Sequence, residues 1–257
     1  MAHVVDHLHP STPLPTVRNV AVGQPLLWLY CGYADLKSVP RFSLAYGALI
    51  AAFGVALLAI AWEATYLVPA LIGGFLLVAP FLAIVFYKLS MQLEEGDSIN
   101  KLATLGAWRH NRGSIALFGL MLAVALIGWE RLSAILFALF YGGQVPDLDH
   151  LVSDVLFSGH YTGLAIAYMG TGALVAAAVF AFSVVTTQLL MDRDLDVISA
   201  ALTSLKCCSQ NLPTMVVWAA VIAVLTAIGF ATFMLGLVLI FPLLGHASWH
   251  AYRDLVE

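Results

Sequence analysis

Six runs of apolar residues, most near or above the length of a bilayer crossing, constrain this chain more than any other feature. SLAYGALIAAFGVALLAIAW (Ser43 to Trp62) is followed, after only Glu63, Ala64 and Thr65, by YLVPALIGGFLLVAPFLAIVFY (Tyr66 to Tyr87), a spacing that predicts a tight helical hairpin. SIALFGLMLAVALIGW (Ser114 to Trp129) is short for a span unless its helix continues past Glu130 and Arg131. GLAIAYMGTGALVAAAVFAFSVVTTQLL (Gly163 to Leu190) is the fourth run. Thr214 to Tyr252 is too long for one crossing and divides into two, with a turn near Gly229 to Thr232. A helix needs about 20 apolar residues to cross about 30 Å of hydrocarbon.

Composition agrees. The chain is 61% hydrophobic and 10% charged, with a mean hydropathy of +0.93, whereas soluble domains carry about 25% charge. Its solvent is therefore largely lipid, and the expected fold is an all-α, polytopic membrane helical bundle with six transmembrane helices arranged as three hairpins. The first residues, rich in Pro and His, contain no apolar stretch of signal-peptide type. No basic patch points to nucleic acid. The three cysteines, Cys31, Cys207 and Cys208, define no disulfide framework; the adjacent pair fits either a redox or metal role or a plain interfacial one.

An even number of spans puts both termini on one side. That side would hold Arg18, Lys37, Arg41, Lys88, Lys101, Arg109, Arg112, Arg193, Lys206 and Arg253, leaving only Arg131 on the other. The positive-inside rule then predicts cytoplasmic N and C termini in an inner membrane. Glu63, Glu130, Asp147, Asp149, Asp154, His150 and His160 fall on the outer side, where the one long loop runs over about 141–162.

The chain also repeats. SINKLATLGAWRHNRGS (Ser98 to Ser114) and VISAALTSLKCCSQNLPT (Val197 to Thr214) match at an offset that pairs Leu102 with Leu202, Leu105 with Leu205 and Asn111 with Asn211. PLLWLYCGYADLKSVPRFS (Pro25 to Ser43) holds the same place before the first span, its Val39-Pro40 paralleling Leu212-Pro213. Helically spaced apolar residues, such as Leu26, Leu29, Tyr33 and Leu36, predict short amphipathic helices in the cytoplasmic interface before each hairpin. The expected organisation is a flexible cytoplasmic tail over 1–24 and one six-span domain over 25–257, with units of about 25–95, 96–195 and 196–257.

Residues able to carry chemistry are few. The apolar runs contain almost no ionisable groups, although such groups mark most ion and proton paths. Gly74 and Pro80 in the second run share their spacing with Gly236 and Pro242 in the sixth, and Gly172 sits correspondingly in the fourth. Such positions either break helices around a substrate path or serve close packing and kinking. His246 and His250, four apart on one helical face, offer two metal ligands, fewer than the three or four of a zinc site. The competing reading makes them the wet end of a helix, with Trp249 and Tyr252 in the aromatic belt. No second intramembrane histidine matches His246, so haem is not expected and no cofactor is assigned. The tail histidines His3, His7 and His9 read as part of a solvated arm. Asp192, Arg193, Asp194 and Asp196, after the fourth run, form either a cytoplasmic interaction site or helix caps with an internal ion pair. Asp97 or Ser98 fills the capping place after the second run.

LLMDRDLDVISAALTSL, FPLLGHASWHAYRDLVE, FLLVAPFLAIVFYKLS and WERLSAILFALFYGG resemble segments of a bacterial integral-membrane family known as domain of unknown function 2189, over nearly the whole chain after about Arg18. The resemblance implies a proteobacterial inner-membrane protein without an assigned activity. The label of cytochrome c oxidase subunit I sometimes attached to that family is not supported by the histidines here. The plan is also similar, as fold-level analogy, to the membrane domain attached to some glycerophosphodiester phosphodiesterases. The leading expectation is a non-enzymatic scaffold, assembly factor or accessory subunit whose partners are the bilayer and other membrane proteins or a second copy. The alternatives are a transporter or channel for a small or lipid-like solute, and metal or haem handling at the cytoplasmic face.

Overall fold

Proline sets where the first two helices begin. Pro25 lies in the first turn of α1 (Gln24–Ser38), and Pro40 opens α2 (Pro40–Glu63), where a missing N–H costs nothing. The computed structural model describes residues 14–63, 68–141 and 162–257, with side chains undescribed at 61–71 and 141. His3, His7, His9, His150, His160 and the outer-loop acids lie outside the described residues. The remaining helices are α3 (Val68–Leu82), α4 (Ile84–Glu94), α5 (Lys101–Leu105), α6 (Arg112–Tyr141), α7 (Thr162–Ser183), α8 (Thr186–Asp192), α9 (Val197–Gln210), α10 (Leu212–Ala231) and α11 (Leu237–Leu255).

Among the described residues, five stretches are long and apolar enough to cross a membrane: Pro40–Ile60, Ile72–Glu94, Arg112–Phe140, Thr162–Asp192 and Leu212–Ala231. Leu49, Phe53, Leu120, Val124, Ile166, Leu174, Val216 and Val224 on these helices are exposed, as lipid-facing residues must be. The third stretch does not end at Trp129. Its helix runs on through Glu130 and Arg131 to Tyr141. The sixth apolar run forms α11, but its polar C-terminal half keeps it out of that group of five.

The second and fourth stretches are each two helices end to end. Pro80 lacks an N–H and sits three residues before the break at Ala83. The break between α7 and α8 is filled by a neighbour: the Ser204 hydroxyl of α9 donates to Ala181 O at 2.8 Å and accepts from Val185 N at 3.4 Å. The turn from α10 to α11 falls slightly later than Gly229 to Thr232. Phe233 and Met234 take left-handed φ values of 52° and 68°, while Gly229 is reserved for packing, since a Cβ there would collide with the Leu237 side chain.

The repeat-matched asparagines hold equivalent places. Asn111 donates to Leu195 O at 2.8 Å, gripping the chain just before α9. Asn211 donates to Arg18 O at 3.0 Å and accepts from Val20 N at 2.8 Å, gripping the chain just before α1. The end of the expected flexible tail is therefore held. Val17 and Val256 form an antiparallel bridge, and Glu257 N donates to Thr16 O at 3.0 Å. Asp196 caps α9 through Ile198 N and Ser199 N, as its position predicted. The cap of α5 is Asn100, not Asp97 or Ser98, because its side chain reaches Ala103 N.

Helix α11 is the hub. It packs on α1, α2, α4 and α10, and its buried residues fall all around it, from Leu237 and Pro242 to His246, Trp249 and Tyr252. Small residues allow the approach. A Cβ on Gly32 of α1 would lie 2.6 Å from Ala247 N, and one on Gly47 of α2 would strike Val238 O and Pro242.

Candidate functional site

A helix buried on all sides must find partners for its polar side chains, because an unpaired buried group costs about 1–3 kcal/mol. The second half of α11 does so from four other helices. His246 is fully buried, with Ser43 Oγ of α2 3.0 Å from Nε2 and Ser90 Oγ of α4 2.8 Å from Nδ1. Ser90 donates to Asp35 Oδ2 of α1 at 2.6 Å, so toward His246 it can only accept. The network therefore places a proton on Nδ1 and leaves Nε2 to accept from Ser43. His250 Nε2 reaches the same Asp35 oxygen at 2.8 Å.

The rest of the helix end follows suit. Asp254 accepts from Gln24 and from the Trp28 indole, each at 2.7 Å. Glu94 accepts from Trp249 Nε1 and Arg253 Nε, each at 3.0 Å. Tyr252 donates to Asp192 at 2.5 Å. Trp249 and Tyr252 are thus interior residues, not the lipid-facing belt that their positions suggested. Large amphipathic rings bury well when their N–H or O–H is met.

The structure brings His246 and His250 together around Asp35, each with hydrogen-bond partners. Among the described residues no group of three or more His, Cys, Asp or Glu side chains is arranged to hold a metal ion. Ser43 and His246 stand like a nucleophile and its base, but both are fully enclosed. The DRDLD residues disperse. Asp192 meets Tyr252, with Arg193 Nε 3.8 Å away. Arg193 donates to Glu257 O, Asp194 pairs with His110 at 3.2 Å, and Asp196 caps α9. Cys207 and Cys208 are buried in α9, and burial pushes their thiols up to about 12 and about 11.

A cavity of about 500 Å³ lies on the other flank of α11. Its walls come from α3, α6, α7, α10 and α11, and they are mostly apolar, with Leu126, Trp129, Val179, Ile222 and Phe241 among them. Pro80 and Gly172, two of the five helix-break positions, line it. Gly74, Gly236 and Pro242 are not among its lining residues: a Cβ on Gly74 meets nothing within 4 Å, Gly236 abuts Thr232, and Pro242 packs on Gly47. Close packing accounts for the last two. Trp218, which reads in sequence as one more apolar residue of α10, forms part of the wall.

The sequence model of a family described as predicted integral membrane protein (DUF2189) matches residues 67–192. No curated protein and no solved structure matches the chain. The match runs from the start of α3 to the end of α8 and includes FLLVAPFLAIVFYKLS and WERLSAILFALFYGG. It is narrower than the resemblance read from the sequence, since FPLLGHASWHAYRDLVE lies beyond it.

Proposed function

We infer that this integral membrane protein, whose residues 67–192 carry the DUF2189 region, binds one apolar, lipid-like molecule inside its helical bundle, as a carrier or transporter rather than an enzyme. The observation that carries the reading is the cavity, built by four of the five candidate spans together with α11. Its size falls in the usual range of ligand pockets, about 300–1,000 Å³. Its mostly apolar walls suit a lipid-like chain. This raises the lipid-like-solute alternative above the scaffold reading, which rests on the sparse intramembrane charge, the absence of a visible catalytic constellation and the exposed faces of α1, α5 and α9.

Those faces, with Leu26, Tyr30, Leu102, Trp108, Ile198 and Leu202 exposed, suit short helices lying in the membrane interface. The matched grips of Asn111 and Asn211 support the kinship of the second and third units. We read α11 as a sixth, protein-surrounded span and both termini as cytoplasmic. An impermeant thiol reagent applied to intact cells would then label a cysteine placed at Phe233 and spare one placed at Leu202; the opposite pattern contradicts the orientation.

The binding reading is tested with a photoreactive alkane carrying a diazirine, added to the purified full-length chain in nanodiscs. It should crosslink to Leu126, Val179 or Ile222, and Ala176→Trp, at a lining position of α7, should abolish that labelling while the protein stays folded. Labelling confined to lipid-facing residues such as Leu120 or Ile166 would defeat it.

A further inference from the structure

We propose that the cavity opens sideways into the bilayer through the seam between α7 and α10, and that its occupant is an acyl chain of a resident membrane lipid whose head group stays outside the protein. The proposal rests on the binding reading above. α7 contributes Ala176 and Val179 to the cavity wall, and α10 contributes Ile222 and Thr226. Elsewhere around the wall neighbouring helices are packed together: α3 on α6, α6 on α7, and α10 on α11. α7 and α10 have no such packed interface with each other. Their lining residues stay open accordingly, with Ala176 exposed and Val179, Ile222 and Thr226 half-buried.

The end of the cavity nearest α8 and α9 is shut. The Ser204 hydroxyl ties α9 to the break between α7 and α8, and Gln188 Nε2 donates to Ser248 O at 3.4 Å, tying α8 to α11. Val185 and Leu189, at the start of α8 and within it, are fully buried. Toward the turn from α10 to α11, Phe75 of α3 meets Phe230 of α10 with ring centroids 5.9 Å apart. The seam is different. Ala176 and Ile222 lie near the middle of the stretches Thr162–Asp192 and Leu212–Ala231, so it opens at the depth of the hydrocarbon. The same two helices expose Leu174 and Val224, and the seam is continuous with that lipid-facing surface.

This position selects the occupant. A chain already dissolved in the bilayer reaches the seam without meeting water, and it exchanges lipid neighbours for the apolar walls. None of the described lining residues is charged. A phosphate or ammonium head drawn inside would therefore lose its hydration and find no counter-charge. Entry by the chain alone avoids that cost, because the head keeps its place at the leaflet surface.

The test uses the full-length chain in nanodiscs that contain a phosphatidylcholine with a diazirine either near the head or at the end of one acyl chain. The near-head probe should label the seam, at Ala176, Val179 or Ile222. The chain-end probe should shift the label inward, to Leu77 of α3 or Phe241 of α11, lining residues packed against the core. The diazirine alkane described above serves as the control for the cavity itself. Three results overturn the proposal and leave the cavity reading standing, provided the alkane marks the walls. They are lipid labels confined to Leu174, Val224 and similar lipid-facing residues, no inward shift between the two probes, and a near-head label on a different pair of helices. Failure of the alkane and of both lipid probes to mark the walls defeats the cavity reading itself.

Discussion

Asp35 Oδ2 lies 2.8 Å from His250 Nε2, although 215 positions separate the two residues in the chain. The same oxygen receives the Ser90 hydroxyl at 2.6 Å. One carboxylate of α1 thus closes a polar bridge from α4 to the hub helix α11, and through Ser90 it orients His246. Asp35→Ala strips both donors of their acceptor and should cost about 1–3 kcal/mol, read as a lower unfolding temperature in detergent. Asp35→Asn should cost less, because its amide oxygen can still accept from Ser90. An unchanged unfolding temperature for Asp35→Ala would contradict the bridge.

The glycines divide by what surrounds them. Gly32→Ala drives a methyl to 2.6 Å from the backbone nitrogen of Ala247, a contact that no rotamer change can relieve. The helices must separate, at about 1–3 kcal/mol or more. Gly74→Ala meets open space and should be neutral or stabilising by about 0.5–1 kcal/mol through helix propensity. Thermal unfolding of the two variants side by side checks this, and equal effects would mean that α1 does not pack so closely on α11.

How much of this was legible before the structure depends on what kind of signal each feature carries. The apolar runs declare themselves because lipid replaces water as solvent, and capping by Asp196 is local and readable. The place of α11 is different. Its polar half resembles a wet helix end, and only the arrival of Asp35, Ser43, Ser90, Glu94 and Asp192 from distant segments turns it into an interior. Nothing local flags Trp218, since an indole in an apolar run looks the same whether it faces lipid or a cavity. The continuation of α6 past Glu130 and Arg131 has no local signal, because charges end some spans and merely interrupt others.

Burial raises the Cys207 and Cys208 thiols to about 12 and about 11, so both stay neutral and shielded in the folded protein. A maleimide at neutral pH should leave them unmodified until the chain is denatured. Their folded values exceed the unfolded one, near 8.5 for a free thiol. The stability they support is therefore whole below that pH and is lost as pH rises from there toward 11–12. Rapid labelling of either thiol in the native protein would contradict their enclosure.

Asp196 holds the first turn of α9 through two backbone N–H groups, and hydrogen bonds from Ser199, foremost among the causes, keep its carboxyl below the ordinary value. Asp196→Ala should cost about 1 kcal/mol. Since the folded value is the lower one, this contribution is complete at neutral pH and fades only as pH falls below the ordinary carboxylate range. A variant with the stability of the native chain at neutral pH would remove the cap from the account.

The most direct test of the whole reading is mass spectrometry of what leaves with the protein when it is gently extracted and its annular lipids are washed away. One apolar, lipid-like molecule per chain is predicted for the native protein, and none for Ala176→Trp, which fills the cavity. A native chain that carries nothing, or a filled variant that carries the same molecule, would contradict the claim that the bundle encloses a ligand.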